Sequence, residues 1–167
     1  ALAAAAFAVL LIAASAHPLS RSATAAPKRL LFIGNSLTAV NDLPEAVARL
    51  AVADGQPRPL VQTVAMGGFS LEDHWNQGDA RRAIGTGRWD YVVLQQGPSA
   101  LPESRRLLIA YAQRFADLVQ KAGARPALYM VWPSRDRRQD YDGVSQSYRA
   151  AAKAVTGIIL PAGEAWR

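Results

Sequence analysis

With 167 residues, half of them hydrophobic, the chain suits one domain with a single core. It has no cysteine, which excludes disulfide scaffolding and thiol redox chemistry. The net charge of +6 comes mostly from arginines without interleaved aromatics or a nucleic-acid motif, so it reads as a solvated basic surface and not as a nucleic-acid footprint.

Ala1 to Ala16 holds no charge and is almost all Ala, Leu, Val, Ile and Phe. The run is too short and too Ala-rich for a transmembrane helix, and Ala14-Ser15-Ala16 and Ala23-Thr24-Ala25 both offer small-x-small cleavage sites. Residues 1–26 therefore read as a secretory leader clipped at its start. The domain, 27–167, is then expected to be secreted or periplasmic, with no stable membrane span after cleavage.

Leu30-Leu31-Phe32-Ile33 fits a strand buried on both faces, and Gly34-Asn35 breaks it with residues that tolerate a tight turn. Ser36 then lies beyond the carboxyl end of the strand, where open α/β sheets bind ligands. A helix follows, with Asp42 as its expected cap, Pro44 in the first turn, and Val47, Leu50 and Ala51 as its buried stripe. Leu60 to Val64 is a second strand, and Ser70 caps a helix running through Trp75 toward Ala83. Tyr91 to Leu94 is a third strand, leading into Gln95-Gln96-Gly97-Pro98. A long helix from about Pro102 to Ala122 carries Leu108, Tyr111, Phe115, Leu118 and Val119 at helical spacing. Ala127 to Val131 is a fourth strand, Asp140 to Val155 a helix, and Ile158 to Leu160 a fifth strand. Strands alternating with helices at this rhythm predict a three-layer α/β/α sandwich, flavodoxin-like, on a five-stranded parallel sheet.

Such a sheet delivers Ser36, Gly67-Gly68 and Gln95-Gln96-Gly97 to one edge. A serine nucleophile needs donors aimed at the oxyanion of its tetrahedral intermediate, and the Ser36 N–H, the Gly68 N–H and a Gln amide could supply three.

Gly34-Asn35-Ser36-Leu37 near the start of the domain resembles block I of the SGNH (GDSL-type) hydrolases. The resemblance implies that Ser36 is the nucleophile and first oxyanion donor of a serine esterase. Gly68, with Gly67 as near alternative, would be the block II glycine. Block III is usually Gly-x-Asn-Asp. Here it reads Gln95-Gln96-Gly97-Pro98-Ser99, closer to the version in some carbohydrate acetylesterases of the superfamily, which makes Gln96 the third donor and leaves Gln95 as the alternative. The family's Asp-x-x-His, which supplies the base and its orienting carboxylate, follows the fifth strand and is absent from the sequence. The expectation is a fragment truncated at its C-terminus, with that block and a final helix beyond Arg167. Apolar sheet surface near the C-terminus should then stay uncovered.

His74 could serve Ser36 as base or, better, sit at the rim as a candidate substrate contact. Glu72-Asp73-His74 fan around a helix and cannot converge on a metal. Trp132, at the end of the fourth strand, is either core or a substrate contact. The resulting expectation is an esterase acting on a small-molecule or carbohydrate ester through an acyl-enzyme, with no cofactor and no metal. The rival is a non-catalytic carbohydrate-binding or polymer-assembly protein that keeps the cleft.

Overall fold

The computed structural model describes residues 26–167; the leader expected over residues 1–26 falls almost entirely outside them. Five strands, β1 (Arg29–Gly34), β2 (Leu60–Ala65), β3 (Tyr91–Leu94), β4 (Arg125–Tyr129) and β5 (Ile158–Leu160), form one sheet in the order β2-β1-β3-β4-β5. Every pairing is parallel. The chain moves outward from β1 to β2 and returns to β3 on the other side of β1. The topological switch point therefore lies between β1 and β3, where an open α/β sheet forms its ligand crevice. Ser36 and the two glutamines emerge there.

Side-chain alternation divides the strands between two faces. Leu31, Ile33, Val92, Leu94 and Leu128 face the main core, packed with Leu71, Ile84, Leu108, Phe115, Val144 and Tyr148. These come from α3 (Leu71–Gln77), α4 (Asp79–Thr86), α5 (Pro102–Lys121) and α6 (Tyr141–Ala154). Each fully buried Leu or Phe contributes about 1.5–3 kcal/mol by leaving water. The opposite face is thinner. Phe32, Val93 and Ala127 are buried there, while Leu30, Val61, Tyr129, Ile158 and Leu160 are only partly covered. Among the described residues, α2 (Leu43–Ala53), through Val47, is the main helix on that side, with the short α1 (Ser36–Ala39) beside the strand ends.

Several local expectations need correction. Asp42 does not cap α2 with its side chain, because it takes a left-handed conformation (φ 51°) directly after Asn41 (φ 59°). The stripe of α2 is narrower than predicted: Pro44 and Ala48 are buried, whereas Leu50 is 69% exposed, with no helix packed on that flank among the described residues. The helix after Ser70 is split in two at Gly78 (φ 96°), which ends α3 and begins α4. The fourth strand runs two residues earlier than expected and stops at Tyr129.

Candidate active site

The turn after β1 is built around close approaches. A methyl group on Gly34 would collide with Thr38 Oγ1 and Gln95 Oε1, so only glycine fits at the end of the strand. Asn35 is the N-cap of α1, its Oδ1 accepting the Leu37 N–H at 3.1 Å. Gln95, fully buried at the end of β3, holds this turn from the neighbouring strand. Its Oε1 accepts the Asn35 N–H at 2.9 Å and the Thr38 hydroxyl at 2.7 Å. Its Nε2 donates to Asn35 Oδ1 at 3.0 Å and to the Gln96 carbonyl at 2.7 Å. Both donors and both acceptor sites of the carboxamide are used, so Gln95 has nothing left to offer a substrate. Ser36 sits at the crest of this turn, exposed, and among the described residues neither its N–H nor its hydroxyl has a partner.

The second turn, Met66 to Phe69, is fastened to the first at both ends. The Met66 N–H donates to the Gly34 carbonyl at 3.1 Å, and Asn35 Nδ2 donates to the Phe69 carbonyl at 3.0 Å. Between these bonds Gly68 adopts φ 77°, a left-handed backbone that glycine enters without a Cβ penalty. Gly67 and Gly68 are exposed, and among the described residues the Gly68 N–H has no partner.

Gln96 points the other way from Gln95. Its Oε1 accepts the Leu71 N–H at 3.1 Å, and its Nε2 donates to Ser99 Oγ at 2.8 Å. The side chain is bound at each end but keeps one amide hydrogen, so between the two glutamines Gln96 alone retains donor capacity. Tyr148, from α6, clamps its backbone, donating to the Gln96 carbonyl at 2.6 Å and accepting the Gln96 N–H at 3.2 Å. Burial pushes the Tyr148 phenol well above its ordinary pKa, so it remains a donor at every physiological pH. Ser99 is held at φ 58°, a costly conformation for a residue with a side chain, and its hydroxyl donates to the Gly97 carbonyl at 2.9 Å.

His74 is not at the rim. It is 1% exposed and its Nε2 lies 2.7 Å from the Gly34 carbonyl, beneath the turn and on the far side of it from the Ser36 hydroxyl's exposed crest. Burial lowers its pKa below 6.5, against smaller opposing effects of the Gly34 bond and of Asp73 and Asp79. Trp132 is half-buried and stacks on Trp166 with ring centroids 4.8 Å apart. It stands between two adjoining clefts. One, of about 470 Å³, includes Leu37, Ser99, Leu101 and Arg137; the other, of about 540 Å³, includes Arg135, Arg138 and Trp166. The first cleft begins at the residue after Ser36 and has mostly apolar walls. Among the described residues no group of His, Asp or Glu is placed to hold a metal ion.

Sequence reasoning passed over Asn35, Thr38, Ser99 and Tyr148. Asn35 carried a usable signal, an Asn directly before a helix start. Tyr148 carries no such signal, since nothing in the sequence sets it apart from other aromatics on helices.

Solved structures identify the fold: the chain has the SGNH hydrolase fold. A proposed SGNH hydrolase from Slackia heliotrinireducens superposes with a TM-score of 0.74 at 23% identity, over 85% of this chain and 83% of that one. A lipase/acylhydrolase from Enterococcus faecalis gives 0.59 at 18% identity over 83% and 77%. A catalytic mutant of an acetylxylan esterase from Geobacillus stearothermophilus gives 0.59 at 15% identity over 83% and 78%. No family model matches the sequence, and no curated protein matches it.

Proposed function

We propose that the protein is a serine esterase that hydrolyses a carboxylic ester, such as that of an acetylated carbohydrate, through an acyl-enzyme on Ser36. One observation carries the reading. In two exposed turns fastened to each other through Gly34, Asn35, Met66 and Phe69, the Ser36 hydroxyl and the N–H groups of Ser36, Gly67 and Gly68 have no partner among the described residues. Backbone donors held rigidly by surrounding bonds are what an oxyanion needs.

In this mechanism Ser36 Oγ attacks the ester carbonyl, and the oxyanion is received by the Ser36 and Gly68 N–H groups with the remaining Gln96 amide hydrogen. Collapse releases the alcohol, and water then hydrolyses the acyl-serine. The family resemblance would give the proton to an Asp-x-x-His; His74, the one imidazole among the described residues, is committed to Gly34. The apolar composition of residues 1–16 supports a secreted or periplasmic location. No helix among the described residues is long and apolar enough to cross a membrane.

The test is p-nitrophenyl acetate hydrolysis by the full-length protein and its Ser36→Ala variant. Turnover that disappears with Ser36 supports the esterase. A folded, inert protein, or an unchanged rate in Ser36→Ala, replaces it with the non-catalytic carbohydrate-binding reading.

A further inference from the structure

His74 is buried, titratable, and unused by the mechanism above. Its Nε2 faces the Gly34 carbonyl, an acceptor only, so Nε2 carries the proton and donates at 2.7 Å. In the neutral ring that leaves Nδ1 unprotonated, and among the described residues this buried nitrogen has no hydrogen-bond partner. Burial holds the ring neutral. A buried imidazole with one empty nitrogen is a costly way to fill a core, and an apolar side chain would pack there without the penalty. The retained imidazole therefore points to what its one hydrogen bond does.

That bond lands on the peptide directly before Asn35-Ser36. The same carbonyl also accepts the Met66 N–H, at the start of the Gly67-Gly68 turn. The far end of that turn is Phe69. Its carbonyl is held by Asn35 Nδ2, and its ring meets the His74 ring edge-on with centroids 5.1 Å apart. His74 thus touches both halves of the oxyanion hole from below, at the carbonyl behind Ser36 and at the aromatic ring behind Gly68.

We propose that His74 is a positioning residue: its Nε2–H bond to Gly34 and its packing on Phe69 set the separation of the Ser36 and Gly68 N–H groups. This rests on the esterase reading. The geometry separates donor from bulk, because a Gln side chain extends far enough to place its amide near the position of His Nε2, whereas an Asn amide falls short of Gly34.

The experiment measures kcat and KM for p-nitrophenyl acetate with the full-length protein and its His74→Gln, His74→Asn and His74→Leu variants, with folding of each checked by circular dichroism. Misplacing a catalytic group by about 1 Å costs on the order of 100-fold in rate. The expected result is a fall in kcat of about 10- to 100-fold in the Asn and Leu variants, with KM within about threefold and most of kcat retained by Gln. If the Leu variant does not fold, the Gln and Asn pair decides. Equal kcat values for Gln and Asn, or an undiminished kcat in a folded Leu variant, overturn the positioning role while leaving the esterase intact. An inert parent protein overturns both.

Discussion

Replacing Gln95 by leucine removes four hydrogen bonds with little change of volume. Two of the groups released keep other partners: Asn35 Oδ1 still accepts the Leu37 N–H, and the Gln96 carbonyl still accepts the Tyr148 hydroxyl. The Asn35 N–H and the Thr38 hydroxyl lose the acceptor they share, and Asn35 and Thr38 are 7% and 1% exposed. An unsatisfied buried polar group costs about 1–3 kcal/mol, so the two together should cost about 2–6 kcal/mol. For a domain of this size that lowers Tm by about 4–24 °C. The assay is urea and thermal unfolding of the chain beside Gln95→Glu, which keeps one acceptor oxygen but aims its second at the acceptors Asn35 Oδ1 and the Gln96 carbonyl. A Gln95→Leu variant within about 1 °C of the parent Tm would refute the claim that this carboxamide holds the turn.

Three further outcomes follow from the same geometry. Gly68→Ala meets no steric obstacle but must hold φ 77°, so it should cost about 1–2 kcal/mol and lower kcat at least about tenfold; unchanged kinetics would remove Gly68 from the oxyanion hole. Tyr148→Phe leaves the Gln96 backbone without its buried partner and should destabilise by about 1–3 kcal/mol in urea unfolding, with no change meaning that water replaces the hydroxyl. His74 has a depressed pKa in the fold, so the unfolded chain takes up its proton first. Its contribution is fully present above the ordinary value of 6.5 and declines as pH falls below it, by at most about 1.4 kcal/mol at pH 5.5. That increment, read as the difference in unfolding free energy between pH 7.5 and 5.5, should be missing from His74→Gln.

The layered fold was legible because each strand is a short apolar run closed by a turn signal. Tyr91 to Leu94 and Ile158 to Leu160 were bounded to the residue. The turn that exposes Ser36 was legible as Gly-Asn-Ser after such a run. What could not be read was the partition of work between Gln95 and Gln96. Adjacent residues on a strand point to opposite sides, but which of them holds Asn35 and which meets Leu71 and Tyr148 is decided by contacts 25 to 60 residues away in sequence. His74 was misplaced for a related reason. Its position one turn into a helix suggested surface, and only the packing of α3 against the end of β1 turns that side of the helix inward. The exposure of Leu50 was equally hidden, since a helical stripe records which side is apolar and not how many neighbours cover it.

The unequal covering of the two sheet faces bears on how the molecule opens. Local unfolding starts where few apolar contacts resist it, and that is the side of α2, whose movement would carry α1 along through the Asn41-Asp42 bend. Gln95 is fully buried but stands on that same side, with Val93, and its Oε1 holds the Asn35 N–H. Within three consecutive residues, then, the chain passes from an amide bonded to a fully buried carboxamide to amides at Ser36 and Leu37 that face solvent or a local cap. A steep step in hydrogen-exchange protection should fall between the Asn35 amide, bonded to buried Gln95, and the exposed amide of Ser36.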